Sequence, residues 1–164
     1  MRLYRCFHEE DKLVEGNPLL LSAEESRHLG TVRRIREGDE VLLLDGKGTE
    51  AAGVVESPQR KGMTVLVDRI VRREEPPAPR RVLVCALTKS KDFDEMLQRA
   101  LELGMTEFWP LYTERTVVEL DERRFLKRQD RWRRVLIEGL KQSERLWLPK
   151  IEVPADLVTS LRLC

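Results

Sequence analysis

Three groups of polar residues stand where they could do chemistry. Thr88-Lys89 follows the continuous apolar run Val82-Leu83-Val84-Cys85-Ala86-Leu87, and in open α/β sheets ligands bind outside the C-terminal ends of strands. Thr113-Glu114-Arg115 follows Phe108-Trp109-Pro110-Leu111-Tyr112, and Gln142-Ser143-Glu144-Arg145 closes a long helical pattern. Glu102 lies near the end of a shorter one. Hydroxyls and an amide can orient a ligand, and a carboxylate can move a proton. A guanidinium is too weak an acid to serve as base but can stabilise a developing anion. These groups could converge on one sheet edge. Read alone, they are caps, ion pairs and solvated loop cations.

A second pattern is basic. Arg is 22 of the 30 basic residues, and its planar fork suits phosphate better than an ammonium does. Arg27-His28-Leu29 and Val32-Arg33-Arg34 lead from a helix into a strand, a place from which arginines can meet a phosphate backbone. Residues 123–134 hold seven basic side chains against the single acid Asp130. With Trp132 and Trp147 nearby, two readings stay open: bases stacked on rings among guanidinium groups, or a solvated helix face with core tryptophans. Net charge does not decide between them, since residues 1–79 carry 13 basic and 15 acidic groups and residues 80–164 carry 17 and 14.

Several classes lack positive support. No GxGxxG follows Leu87 and no Walker A motif occurs, which disfavours dinucleotide folds and P-loop NTPases; GxSxG, HExxH and paired-carboxylate spacings are also missing. Cys6, Cys85 and Cys164 are far apart and outside any CxxC, so free thiols are expected, with neither disulfide framework nor metal site. No run approaches a membrane span, and Met1 to Lys12 lacks the apolar stretch of a signal peptide, so a cytoplasmic protein is expected.

The elements that must position these residues follow from periodicity. In 164 residues there is room for one domain or two small ones. Three prolines among residues 76–79, flanked by charge, mark a linker over residues 72–81. Before it, residues 18–21, 41–44, 51–55 and 63–67 are apolar runs separated by turn signals such as Asp45-Gly46-Lys47-Gly48, which predicts a small β-barrel over residues 1–71. One helix interrupts it, opened by an N-cap at Ser22 with Glu25 three residues on. After the linker, strand, helix and strand make a βαβ unit: residues 82–87, a helix opened by Asp92 or Asp94 with Phe93, Met96, Leu97, Ala100 and Leu101 at helical spacing and Gly104 as its left-handed cap, then residues 108–112. A long helix over residues 122–145 follows, its apolar stripe read as Leu126, Trp132 or Arg133, Leu136 and Leu140. Residues 151–153 could start a third strand and residues 157–163 a short helix.

Taken in order, Arg27-His28-Leu29 with Val32-Arg33, Gly38-Asp39, Asp45-Gly46-Lys47-Gly48, Ala86-Leu87-Thr88-Lys89, Glu102-Leu103-Gly104-Met105, Pro110-Leu111, Thr113-Glu114-Arg115-Thr116, Arg131-Trp132 and Gln142-Ser143-Glu144-Arg145 with Pro149 resemble the RsmE family. Its members use S-adenosylmethionine to methylate N3 of a uridine in small-subunit (16S) ribosomal RNA. The resemblance covers roughly residues 1–150 and implies an α/β protein with a small barrel: a PUA-like, RNA-binding N-terminal domain and, over residues 82–164, a knotted SPOUT-type methyltransferase domain. Carried over by motif, Arg115, Arg145 and Glu102 are the catalytic candidates. Thr88, Lys89, Thr113 and Gln142 are the cofactor-binding ones, and Arg5, His28, Arg33 and Arg34 lie near the RNA face. The implied partners are ribosomal RNA or the small subunit and a second copy of the chain, with no membrane and no metal.

Family members continue with a Gly-Pro-Glu-Gly-Gly-like loop and a later Leu-Gly…Arg-Ile-Leu-Arg stretch that build the cofactor pocket. Neither occurs here, so the second domain is expected to be incomplete or altered at its C-terminal side. The competing function is a non-enzymatic RNA-binding module, and a third is a structural or interaction protein on the same scaffold.

Overall fold

Val41 and Leu43 are buried while Glu40 is exposed and Leu42 only half-buried, and this alternation sets one face of β3 (Glu40–Leu44) against the core. Its hairpin with β4 (Thr49–Ser57) turns on Asp45, whose Oδ1 accepts from the backbone N–H of Lys47 (2.7 Å) and of Thr49 (2.9 Å). Gly46 and Gly48 supply the positive φ that this turn requires, 67° and 97°. The computed structural model describes residues 4–10, 12–58, 62–88, 92–114 and 122–162, and divides into two units, Met1–Pro76 and Pro77–Cys164.

In the first unit β1 (Tyr4–Phe7), β2 (Pro18–Leu20) and β5 (Thr64–Arg73) complete a five-stranded sheet in the order β1-β3-β4-β5-β2, with β1 parallel to β3 and the rest antiparallel. The sheet curls into a half-barrel, and among the described residues no ladder joins its two edge strands. The expected barrel is thus an open one. Strand β1 is not among the expected runs, because its pairing is with a strand some forty residues on, and β5 extends through Arg73 into the stretch expected to be linker. Helix α1 (Ala23–Arg27) opens as expected, with Ser22 Oγ accepting from Glu25 N–H at 3.2 Å. It is tied to the sheet by Ser26, whose hydroxyl donates to Leu21 C=O and accepts from Met63 N–H. The backbone then widens into a π-helical turn, His28–Arg33.

In the second unit β6 (Val82–Ala86), β7 (Glu107–Leu111) and β8 (Lys150–Ile151) are all parallel. Helices α2 (Asp92–Glu102) and α3 (Glu122–Ser143) pack against the same face of β7: the Phe108 ring meets Phe93 of α2 at 5.7 Å and Trp132 of α3 at 5.2 Å, both edge-on. Helix α4 (Leu157–Leu161) follows, capped by Asp156, whose carboxylate accepts from Thr159 N–H. The bonds from the Thr159 hydroxyl and backbone N–H hold the Asp156 carboxyl below its usual range.

Two expectations for α3 change. Its buried stripe is Phe125, Trp132, Leu136 and Leu140, with Gly139 where the helix comes closest to Leu101; Leu126 is exposed. Trp132, only 3% exposed and enclosed by Phe93 and Phe108, belongs to the core and is not presented for base stacking. Removing this ring leaves a cavity under both helices, so Trp132→Ala should lower unfolding free energy by about 3–5 kcal/mol. Leu126→Ala should stay within about 0.5 kcal/mol of the parent. Denaturant midpoints measure both, and equal losses would place the core stripe elsewhere on the helix.

Candidate functional site

Parallel strands send their chain direction to a common edge, and that rule sorts the candidates of the second unit. At the C-terminal edge Leu87 N–H donates to Leu111 C=O and Tyr112 N–H to Ala155 C=O, so the residues that follow, Thr88, Thr113, Glu114 and Asp156, leave the sheet side by side. Thr88, Thr113 and Glu114 are exposed. Lys89 and Arg115 continue from this edge in sequence but lie outside the described residues.

The other candidates stand at the opposite edge. A helix that follows a parallel strand runs back antiparallel to it, so α2 and α3 both end where β7 and β8 begin. Gly104, at φ 90°, turns α2 into β7, and Glu144, at φ 61°, ends α3. Arg145 then reaches the end of α2, where Nη2 donates to Glu102 C=O at 2.8 Å, and both Arg145 and Arg81 pack against Gly104. Glu102 pairs through its carboxylate with Arg99 at 3.1 Å. The structure therefore brings Glu102, Gln142 and Arg145 into one neighbourhood and Thr88 and Thr113 into another. Among the described candidates the strand-end and helix-end groups thus lie at two edges, because crossover geometry places helix ends and strand ends on opposite sides.

The half-buried thiol of Cys85 donates to Ala86 C=O, and burial pushes its pKa up. Among the described residues no cluster of three or more His, Cys, Asp or Glu is arranged for a metal, and no helix is long and apolar enough to cross a membrane.

In the first unit α1 and the π-helical turn carry Arg27, His28, Arg33 and Arg34, all exposed, with Arg36 beyond them. The Arg33 guanidinium lies over the Tyr4 ring at 4.7 Å, which orients it while its edge stays open to solvent. Arg34 ends the turn in the left-handed region, φ 55°, its N–H donating to Leu29 C=O. A non-glycine residue there costs on the order of 1 kcal/mol. Among the described residues the guanidinium groups of Arg27, Arg33, Arg34 and Arg36 have no carboxylate partner, although the Arg36 backbone N–H donates to Asp39 Oδ2 at 2.7 Å. Arg5 differs. Its side chain is 13% exposed and pairs at 3.2 Å with the buried Glu50, which Arg72 approaches from the other side at 3.6 Å. No local pattern announces this pairing, because the partners are 45 residues apart.

With this geometry in view, two family models match in chain order: an RNA methyltransferase PUA domain over residues 21–68 and an RNA methyltransferase domain over residues 74–163. The chain belongs to the RNA methyltransferase domain family. Among curated relatives it is 32% identical to Ribosomal RNA small subunit methyltransferase E of Synechocystis sp. over 92% of this chain and 48% of that protein. It is 25% identical to the enzyme of the same name from Bacillus subtilis over 92% and 59%. The chain thus spans about half the length of the curated relatives it matches. Among solved structures, a putative methyltransferase from Legionella pneumophila with bound cofactor SAM aligns at TM-score 0.89 and 25% identity, covering 100% of this chain and 67% of that one. Ribosomal RNA small subunit methyltransferase E from Neisseria gonorrhoeae bound to S-adenosyl methionine aligns at 0.83 and 26%, covering 98% and 65%. The RNA methyltransferase fold expected from the sequence, a PUA-like sheet followed by a SPOUT-type α/β unit, is the one observed.

The chain holds two kinds of arginine in its first unit, and they should separate by experiment. Arg5→Ala leaves Glu50 short of a partner in a buried position and should cost about 1–3 kcal/mol of stability. Arg34→Gly relieves the left-handed strain and should hold stability level or raise it by up to about 1 kcal/mol. Thermal melts check both, and a destabilised Arg34→Gly would contradict the strain assigned to the turn.

Proposed function

We propose that this chain carries the RNA-gripping sheet and the SPOUT-type cofactor unit of an S-adenosylmethionine-dependent methyltransferase that acts on N3 of a uridine in small-subunit (16S) ribosomal RNA. The observation that supports this most is the alignment of the whole chain, both units in order, with a methyltransferase solved with SAM bound.

The chemistry sets what the residues must do. Uridine N3 lies on the base-pairing edge and carries a proton, so the base has to leave its pair and the proton has to leave N3. S-adenosylmethionine, when bound, supplies a methyl group bonded to a positively charged sulfur, which N3 takes in line without any metal. Positioning is then the main contribution of the protein. The exposed hydroxyls of Thr88 and Thr113, together at the C-terminal strand edge where ligands of parallel sheets bind, fit the polar contacts such a cofactor needs, and Lys89 follows Thr88 in sequence. Glu114, exposed at the same edge, is the proposed proton acceptor, and Arg115 the proposed partner of the uridinate anion. Glu102, Gln142 and Arg145 are assigned a positioning role at the other edge, fixing the end of α2 through the bond from Arg145 to Glu102 C=O. Arg33 and Arg34, with His28 beside them, grip the RNA backbone, while Arg5 holds the sheet. The reading includes a homodimer and action in the cytoplasm on the small subunit, both supported by the resemblance alone.

Small subunits that lack the modification, incubated with the intact protein and S-adenosylmethionine, should yield N3-methyluridine in nucleoside mass spectrometry. Arg115→Ala should lower turnover by about 10²–10³, and Glu102→Gln should leave it unchanged. Methyl on another base, or RNA binding with no cofactor bound, would favour a different enzyme or the non-enzymatic module.

A further inference from the structure

The proposed reaction leaves the outer face of α3 without a task. Residues 123–134 place Arg123, Lys127 and Arg134 within about 40° of one another around the helix at ~100° per residue, with Arg131, Arg124 and Arg128 continuing the same flank. Arg123, Arg124, Lys127, Arg131 and Arg134 are exposed. Like charges four residues apart repel, and Arg123/Lys127, Arg124/Arg128 and Lys127/Arg131 are three such pairs. Helix α2 shows what a merely solvated face looks like: there Arg99 pairs with Glu95 and Glu102 along the helix. On this part of α3 Arg131 reaches across to Asp94 at 2.7 Å. Among the described residues Arg123, Lys127, Arg128 and Arg134 have no ion-pair partner. The helix thus tolerates a row of self-repelling cations about 16 Å long, at ~1.5 Å per residue.

We propose that this face binds the sugar-phosphate backbone of a double-helical RNA segment. A polyanion with closely spaced charges is the partner that turns such repulsion into attraction. The burial of Trp132 sharpens the choice, because with that ring in the core the stripe offers cations without its tryptophan to stack a base. Contacts of that kind follow a duplex backbone by shape and charge and do not read sequence. This rests on the reading of the chain as an RNA methyltransferase and adds to it a second, sequence-independent grip, distinct from the Arg33 and Arg34 turn of the first unit.

Fluorescence anisotropy of the full chain with a labelled 20-base-pair RNA duplex, over a salt series, tests it. In the triple variant Arg123→Gln, Lys127→Gln, Arg134→Gln, the slope of log K against log salt should become shallower by about 2–3, at roughly 0.9 for each phosphate that is no longer neutralised. The weakening should be the same for duplexes of different sequence. The melting temperature should hold or rise, since repulsion is relieved, whereas a structural role would lower it. Arg99→Gln on α2 should leave the slope alone. An unchanged slope in the triple variant, while Arg33→Gln with Arg34→Gln does reduce it, would overturn the α3 proposal and leave the methyltransferase reading intact. Absence of RNA binding by the parent protein would overturn both. Loss of binding only to phosphatidylserine vesicles or polyglutamate would assign the face to another polyanion and overturn the RNA proposal.

Discussion

Parallel pairing of β6, β7 and β8 is the constraint from which the rest of the second unit follows. Once these strands run the same way, each connection must cross the sheet, and the chain has only two edges at which to turn. Strand ends collect Thr88, Thr113, Glu114 and the cap of α4, and helix ends collect Glu102, Gln142 and Arg145. The ring cluster of Phe93, Phe108 and Trp132 holds the arrangement by pressing both long helices onto one strand. A polar residue on this scaffold has its role bounded by its edge before its own chemistry is considered.

The first unit distributes its charge differently. Glu50 is buried within a curled sheet and draws the largely buried Arg5 inward, while Arg72 pairs with it from a more exposed position. The turn after α1 does the opposite. It places Arg27, Arg33 and Arg34 on a short, irregular stretch whose left-handed end is locally unfavourable. Its backbone departs from regular helix where these exposed cations gather. Arg33, leaning on Tyr4, is oriented without being neutralised.

Much of this is legible in the residues, and what is not has physical causes. Ser22 and Gly104 announce helix ends because capping is a local affair, decided by three or four neighbouring groups. The run from Val82 to Leu87 announces a strand for the same reason. Strand β1 is hidden because its register is set by β3, far along the chain, and Arg5 looks available in the sequence because its partner Glu50 is equally remote. Trp132 satisfies two patterns at once, a core stripe and an aromatic among arginines, and only packing decides between them. Leu126 and Phe125 are adjacent and so face about 100° apart; Trp132, Leu136 and Leu140 follow Phe125 by seven, eleven and fifteen residues, so strict helical spacing puts Phe125 on the buried face and turns Leu126 out. The separation of Arg145 from Thr113 follows from crossover direction alone, yet their positions just past a helix and a strand make them look like neighbours in the sequence.

The central claim is that the C-terminal strand edge faces the methyl donor. Backbone amide chemical shifts of the isotope-labelled protein, followed by NMR during titration with S-adenosylmethionine, test it directly. Saturable shifts are predicted at Thr88, Thr113 and Glu114, with little change at Gln142 and Arg145. Shifts concentrated at Gly104, Gln142 and Arg145 instead would place the donor at the other edge and contradict the claim.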